Sequence, residues 1–385
     1  MLPAEPKIFH GRENELADIL KLFKEESPRI AILGAGGMGK TSLSKAVLHH
    51  SEITAKYHVN RFFIACDGST NQVELVNIIG THLGLKPAKN LTQGVLRHLA
   101  NAPPTLLVLD NLDTLWDPAG SRKEIEEFLS LLTDITSVAL MITMRGAERP
   151  AQVKWTRPFL LPLQPLAQDA AQKMFFDIAD DGHLLEEVNQ VLGLTDNVPL
   201  VINLLAHLVD TEGCSRILSR WKAEKTSLLS EGYDKGSNYN LSISLSLSSP
   251  RMTSVPHSQD LLSLLSILPD GLSDVELKQS KFPIKDILGY KTALLRTALA
   301  YTDDHKRLKV LMPIREYMQI WLPATEQMIR PLFKHFQELL ASYKVHASRA
   351  SGTLYLPRIA SNFSNIQNIL RNTLHHGHPD LVAGI

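Results

Sequence analysis

The feature that most restricts what this chain can fold into is Gly34-Ala-Gly-Gly-Met-Gly39-Lys40-Thr41, which fits G-x-x-x-x-G-K-[ST]. An apolar run, Arg29–Leu33, precedes it, and a helix-period segment, Ser42–Leu48, follows. A strand that runs through a glycine-rich loop into a helix is a phosphate cradle. Its glycines adopt backbone conformations closed to other residues, so that the loop N–H groups turn onto phosphate oxygens. Lys40 then reaches the β and γ phosphates, Thr41 offers a hydroxyl to Mg2+, and the helix N-terminus beginning at Ser42 adds a dipole that favours the anion. Gly34, Gly36, Gly37, Met38, Gly39, Lys40, Thr41 and Ser42 are therefore the candidate contacts to ATP or ADP.

Such a loop needs a second, acidic element. Leu106-Leu-Val-Leu-Asp110-Asn-Leu-Asp113 supplies it as an apolar strand ending in a carboxylate. Asp110 is the candidate Mg2+ residue together with Thr41, the nucleotide and water completing an octahedron. The usual place for a water-activating acid is the next position, here Asn111, and an amide takes no proton. Asp113 is the alternative catalytic carboxylate, and it reads equally as a helix-starting residue. Slow or absent hydrolysis is the expectation.

The short apolar runs Arg29–Leu33, Arg61–Ala65, Thr105–Leu109, Val138–Thr143 and Phe159–Leu161 alternate with helix-compatible stretches. This predicts an α/β P-loop domain over 1–166, a five-stranded parallel sheet with helices on both faces. Beyond it strand signals nearly vanish, and Asp169–Ile178, Leu184–Leu192 and Leu200–Leu208 predict an all-α helical domain over 167–235. Over 236–322, helical patterns at Asp260–Leu268 and Ile284–Ala298, the capping box Ser273-x-x-Glu276 and a hairpin around Asp303–Arg307 predict a winged-helix domain. The alternation of Leu241, Ile243, Leu245 and Leu247 with serines has the period of a half-buried strand. Residues 323–385, with patterns at Leu332–Tyr343 and Phe363–Leu374, read as a C-terminal helical segment that could open a helical repeat array.

The chain is 385 residues long, enough for two to four domains, with 44% hydrophobic residues. Lys plus Arg and Asp plus Glu are equal at 40 each, so no global field draws it to nucleic acid or an anionic membrane. Cys66 and Cys214 are too few for a disulfide framework and suit a reducing cytosol. The apolar stretch Val198–Val209 carries Asn203 and His207 and is too short to span a bilayer. His375-His-Gly-His378 reads as a polar tail rather than a metal site, and the four tryptophans are scattered.

With these motifs in place the stretch from about Phe9 to Trp321 resembles the NB-ARC class of STAND ATPases, the nucleotide switches of NOD-like and plant-type immune receptors. Phe9-His-Gly11-Arg12-Glu13 is similar to the family's F-x-G-R-E entry motif, which lies along adenine. Met141-Ile-Thr143-Met-Arg145 resembles its T-x-R sensor, which places Arg145 toward the γ-phosphate. Asn197-Val-Pro199-Leu200 is similar to the G-L-P-L motif whose proline packs on the base, with Asn in place of Gly. The winged-helix methionine-histidine-aspartate motif is matched only by Val310-Leu-Met-Pro-Ile-Arg315-Glu-Tyr317, which lacks the histidine. The resemblance favours a helix over the Leu/Ser alternation. It implies a cytoplasmic signal-transducing switch that is ADP-bound when off and exchanges to ATP to form homo- or hetero-oligomers. It also implies effector and ligand partners carried outside this module, which makes the chain read as a truncated partner. Two other readings stand beside it: a catalytic P-loop ATPase, and a nucleic-acid-binding regulator built on Lys281, Lys285, Lys291, Arg296, Lys306, Arg307 and Lys309.

Overall fold

Leu106–Leu109 and Val138–Met144 are almost continuous apolar runs, and a strand that is apolar on both faces must be covered on both faces. In the computed structural model they are the centre of a parallel sheet. The structure describes residues 2–67, 69–180, 182–229, 238–255, 257–283, 286–346 and 355–375. The first elements are α1 (Glu13–Leu22), β1 (Arg29–Gly34), α2 (Lys40–His49), α3 (Ser51–Tyr57), β2 (Arg61–Ala65), α4 (Gln72–His82), α5 (Leu91–Ala100), β3 (Thr105–Asp110), α6 (Asp113–Trp116), α7 (Ala119–Thr133) and β4 (Val138–Arg145). The strand order is β1-β4-β3-β2, all parallel. One face packs Leu107, Leu109, Leu140 and Ile142 against Leu75, Ile79, Val95 and Phe128 in a core with Trp116 and Trp155.

Among the described residues the sheet has four strands, not the expected five. Phe159–Leu161 does not form a strand because Pro158 and Pro162 bracket it, and neither proline can donate a ladder hydrogen bond. What remains is a single parallel bridge from Gly34 to Leu163, whose N–H donates to Leu33 O at 2.8 Å. Phe159 and Leu161 are 47% and 84% exposed as a result.

Helices then take over: α8 (Gln168–Ala179), α9 (Leu185–Thr195), α10 (Pro199–Glu212), α11 (Cys214–Glu224) and α12 (Tyr239–Leu247). The Leu/Ser alternation forms α12, not a strand. Asn238 caps it by accepting the Leu241 N–H, and the residues that end up buried, Ser242, Ile243, Ser246 and Leu247, follow helical spacing. The chain divides into two compact units, Met1–Arg220 with Leu229–Pro250, and Trp221–Leu228 with Arg251–Ile385.

The second unit contains α13 (Pro250–Thr253) from Arg251 onward, α14 (Ser258–Ser266), β5 (Leu272–Ser273), α15 (Asp274–Gln279), α16 (Ile287–Arg296), β6 (Tyr301–Thr302), β7 (Arg307–Lys309), α17 (Met312–Trp321), α18 (Glu326–His346), α19 (Leu356–Ala360) and α20 (Phe363–His375). The expected hairpin is present as β6 and β7, and β5 joins it in an antiparallel order β5-β7-β6. Ser273 and Glu276 form the reciprocal capping box at the start of α15. Glu276 also pairs with buried Arg307 at 3.0 Å, and Asn362 donates to Glu276 at 2.5 Å, so β7, α15 and the start of α20 share one polar network. Ile284, Lys285, His376 and His378 lie outside the described residues.

Candidate functional site

β1 delivers the glycine-rich loop to the edge of the sheet, and α2 starts at Lys40. Gly39 caps α2 in the left-handed region at φ 84° with no side-chain hydrogen bond, so the first-turn N–H groups are left for an anion rather than for a capping side chain. Lys40 is buried, and its ammonium donates to Gly34 O at 3.0 Å and Ala35 O at 2.6 Å. Its pKa is lowered to about 8, by burial first and then by the Arg145 charge, with Asp113 and Asp110 pulling the other way.

Asp110 ends β3 with its carboxylate held between two hydroxyls. Thr41 donates to it at 2.9 and 3.0 Å, and Thr143, from the adjacent β4, donates at 2.6 Å. Thr143 in turn accepts the Asn111 N–H at 2.9 Å. Burial raises the Asp110 pKa, and the Thr143 and Thr41 hydrogen bonds and Lys40 oppose that rise. A hydroxyl and a carboxylate side by side at the strand tip fit Mg2+, a hard ion that takes one or two protein oxygens and fills its remaining positions with water and phosphate. Among the described residues there is no cluster of three or more His, Cys, Asp or Glu that would hold a metal by protein ligands alone.

Arg145 closes β4. Its backbone N–H donates to Asp113 Oδ1 at 3.1 Å, and its guanidinium lies 3.8 Å from Asp113 Oδ2. The same guanidinium donates to the Ser242 carbonyl at 2.9 Å and the Ser246 hydroxyl at 3.4 Å, both on α12. Asp113 thus stands at the start of α6 as the anchor of Arg145. α12 itself comes so close that a methyl group on Gly36 would overlap the Ser242 hydroxyl. On the other side α10 reaches the loop: Leu200 N–H donates to Gly37 O at 3.1 Å, and a Cβ on Gly37, at φ +77°, would come within 2.9 Å of Leu200.

These elements enclose a cavity of about 350 Å³ lined by Ile8, residues 36–42, Asn111, Arg145, Met174, Pro199, Leu200, Asn203 and Ser242. The expected base-side residues divide. Pro199 and Leu200 line the cavity, and Ile8 rather than Phe9 is the entry-segment residue on its wall. Gly11 lets α8 pack closely, since a Cβ there would lie 2.5 Å from Ala170. Arg12 is buried and braces the loop, donating to Met38 O at 3.2 Å and Gln164 O at 2.5 Å. His10 pairs with Asp177 of α8 at 2.5 Å and ties the entry segment to that helix. Sequence reasoning missed Met174, Asn203 and Ser242, which carry no motif; for Ser242 the only signal was a serine pattern with two readings.

Residues 2–172 match the family model of novel STAND NTPase 1. Residues 2–172 form a STAND-class P-loop ATPase module. Putative disease resistance protein RGA4 of Solanum bulbocastanum is similar to this chain, 30% identical over 117 residues, which is 28% of this chain and 12% of that protein. The chain therefore spans about an eighth of that relative. Among solved structures, the Walker-type ATPase PABY2304 of Pyrococcus abyssi superposes on this chain with TM-score 0.56 at 14% identity, covering 82% of this chain and 99% of that one. Cdc6p of Pyrobaculum aerophilum reaches TM-score 0.45 at 14% identity over 84% and 97% of the two chains. The likeness in structure concerns the fold. No helix among the described residues is long and apolar enough to cross a membrane.

Proposed function

We propose that the chain is an adenine-nucleotide switch, closed with ADP and opened by exchange to Mg2+-ATP, with hydrolysis slow beside that of catalytic ATPases. The observation that carries this reading is the Arg145 guanidinium, which stands on the cavity wall and binds the Ser242 carbonyl of α12. A γ-phosphate beside Lys40 would compete for the same cation, and a charge-assisted bond to phosphate is stronger than one to a neutral carbonyl. Nucleotide state and the seating of α12 are then linked. In this reading Ile8, Pro199 and Leu200 form the base side with Gly11 and Arg12 supporting it from behind, Asp110 and Thr41 hold the ion, and the domains run over 1–166, 167–235, 236–322 as a winged helix, and 323–385. Oligomerisation in the ATP form and cytoplasmic signalling are part of the same proposal.

Denaturing the purified chain and identifying the released nucleotide tests it. One equivalent of ADP is expected. An empty site with turnover at roughly 1 per second or faster, the range of catalytic enzymes, would overturn it. The basic residues of the second unit favour nucleic-acid binding less than their number suggests. Lys291 pairs with Asp274, Arg307 with Glu276 and Lys309 with Asp303, so their charge is answered within the protein.

A further inference from the structure

We propose that the carboxylate of Asp67, oriented by the Asn111 amide, accepts the proton of the water that hydrolyses ATP in this site. The inference rests on the switch reading, in which hydrolysis is the step that returns the ATP form to the ADP form.

Asp110 and Asp113 serve other partners at the phosphate loop. Asp110 receives the Thr41 and Thr143 hydroxyls and faces the ion position. Asp113 receives the Arg145 N–H and lies beside its guanidinium. Asn111, one position past Asp110 and on the cavity wall, bears no group that takes a proton. Its side chain, however, does not point to nothing: Nδ2 donates to Asp67 Oδ2 at 3.2 Å. β2 runs parallel beside β3 with Ala65 in register with Asp110, so Asp67, two residues further on, emerges at the same end of the sheet. It lies close enough to Asp110 for its charge to raise that carboxylate's pKa.

Asn111 is itself fixed. It sits in the left-handed region at φ 55°, which Asn tolerates better than most residues, and its N–H is held by Thr143. The two groups thus stand on adjacent strand tips, the amide following Asp110 and the acid following β2. A water between the amide and the γ-phosphate donates one hydrogen to the Asn111 Oδ1 and the other to Asp67. Its oxygen bonds to the γ-phosphorus as the bond from that phosphorus to the β–γ bridging oxygen breaks. ADP leaves with the bonding pair on that oxygen, the water proton passes to Asp67, and solvent takes it from the exposed carboxylate. Asp67 is the catalytic residue and Asn111 the positioning residue.

Single-turnover hydrolysis of Mg2+-ATP by the full chain, with affinities for ADP and for a non-hydrolysable ATP analogue measured in parallel, tests the assignment. Asp67→Asn is expected to slow hydrolysis about 100-fold or more, the usual worth of a general base, with both affinities held within about threefold. The exchanged pair Asp67→Asn with Asn111→Asp is expected to recover at least about tenfold of that loss, which a merely structural role for either residue would not produce. Hydrolysis by Asp67→Asn at the wild-type rate overturns the assignment, as does an exchanged pair no faster than Asp67→Asn. A wild-type chain that retains ADP yet hydrolyses nothing above buffer also overturns it while leaving the switch intact. A wild-type chain that binds neither nucleotide brings down the switch reading itself.

Discussion

Lys40 directs its ammonium onto two carbonyls of its own loop, in surroundings that hold its pKa at about 8. The charged form is the one that binds phosphate. As pH rises through about 8 the nucleotide-free site loses that proton, so ADP affinity is expected to fall by up to about tenfold per pH unit above it. A titration with a fluorescent ADP analogue between pH 7 and 9.5 would show the break, and a flat profile would contradict it. The stability linkage has the opposite sense: the unfolded chain keeps the proton up to the ordinary lysine pKa, so between about 8 and that value this residue makes the nucleotide-free protein more stable as pH rises. Thr143 offers a second test, because its hydroxyl both donates to Asp110 and accepts from Asn111. Thr143→Val removes the donor to buried Asp110 and leaves the part-buried Asn111 N–H without its partner, which is expected to cost about 1–3 kcal/mol and to weaken Mg2+-dependent nucleotide binding. Thermal melts with and without Mg2+-ADP would read both effects.

At the scale of elements, much of the first domain was legible because its information is local. A glycine loop between an apolar strand and a helix, and an apolar strand ending in Asp110, are decided within a few residues each. The fifth strand misled because the apolar content of Phe159–Leu161 outweighed the prolines beside it, although a missing N–H is decisive for a ladder. α12 was ambiguous because leucines and serines at alternate positions leave the period undecided; the Asn238 cap and the loop surface that buries Ser242 and Ser246 settle it. The contacts of Arg145 with α12 and of Asp67 with Asn111 join residues far apart in sequence, and no spacing rule encodes them. α12 should be sensitive to its cap: Asn238→Ala is expected to destabilise the first unit by about 1 kcal/mol, measurable by denaturant unfolding. Gly37→Ala should be worse than its size suggests, since it strains a positive φ and pushes on Leu200; reduced ADP affinity by calorimetry would accompany a loss of about 1–3 kcal/mol in stability.

At the scale of the molecule, a ligand seated among the loop, α10 and α12 stabilises the first unit as a whole. At 100 times its dissociation constant ADP should add about 2.7 kcal/mol, seen as hydrogen-exchange protection across the helices that frame the cavity as well as the sheet. Reversing a two-state balance from about 1:99 to 99:1 requires about 5.5 kcal/mol of differential binding, more than the single Arg145 contact can provide. Light scattering of the chain with ADP and with a non-hydrolysable ATP analogue would test assembly, with larger particles expected only in the latter. The proline-bracketed segment beside β1 constrains how such copies could meet. It occupies the flank of the sheet with a single bridge at Leu163 and presents no continuous row of N–H and C=O groups, so a neighbour cannot extend the sheet from that side. Growth of the assembly along that rim is closed.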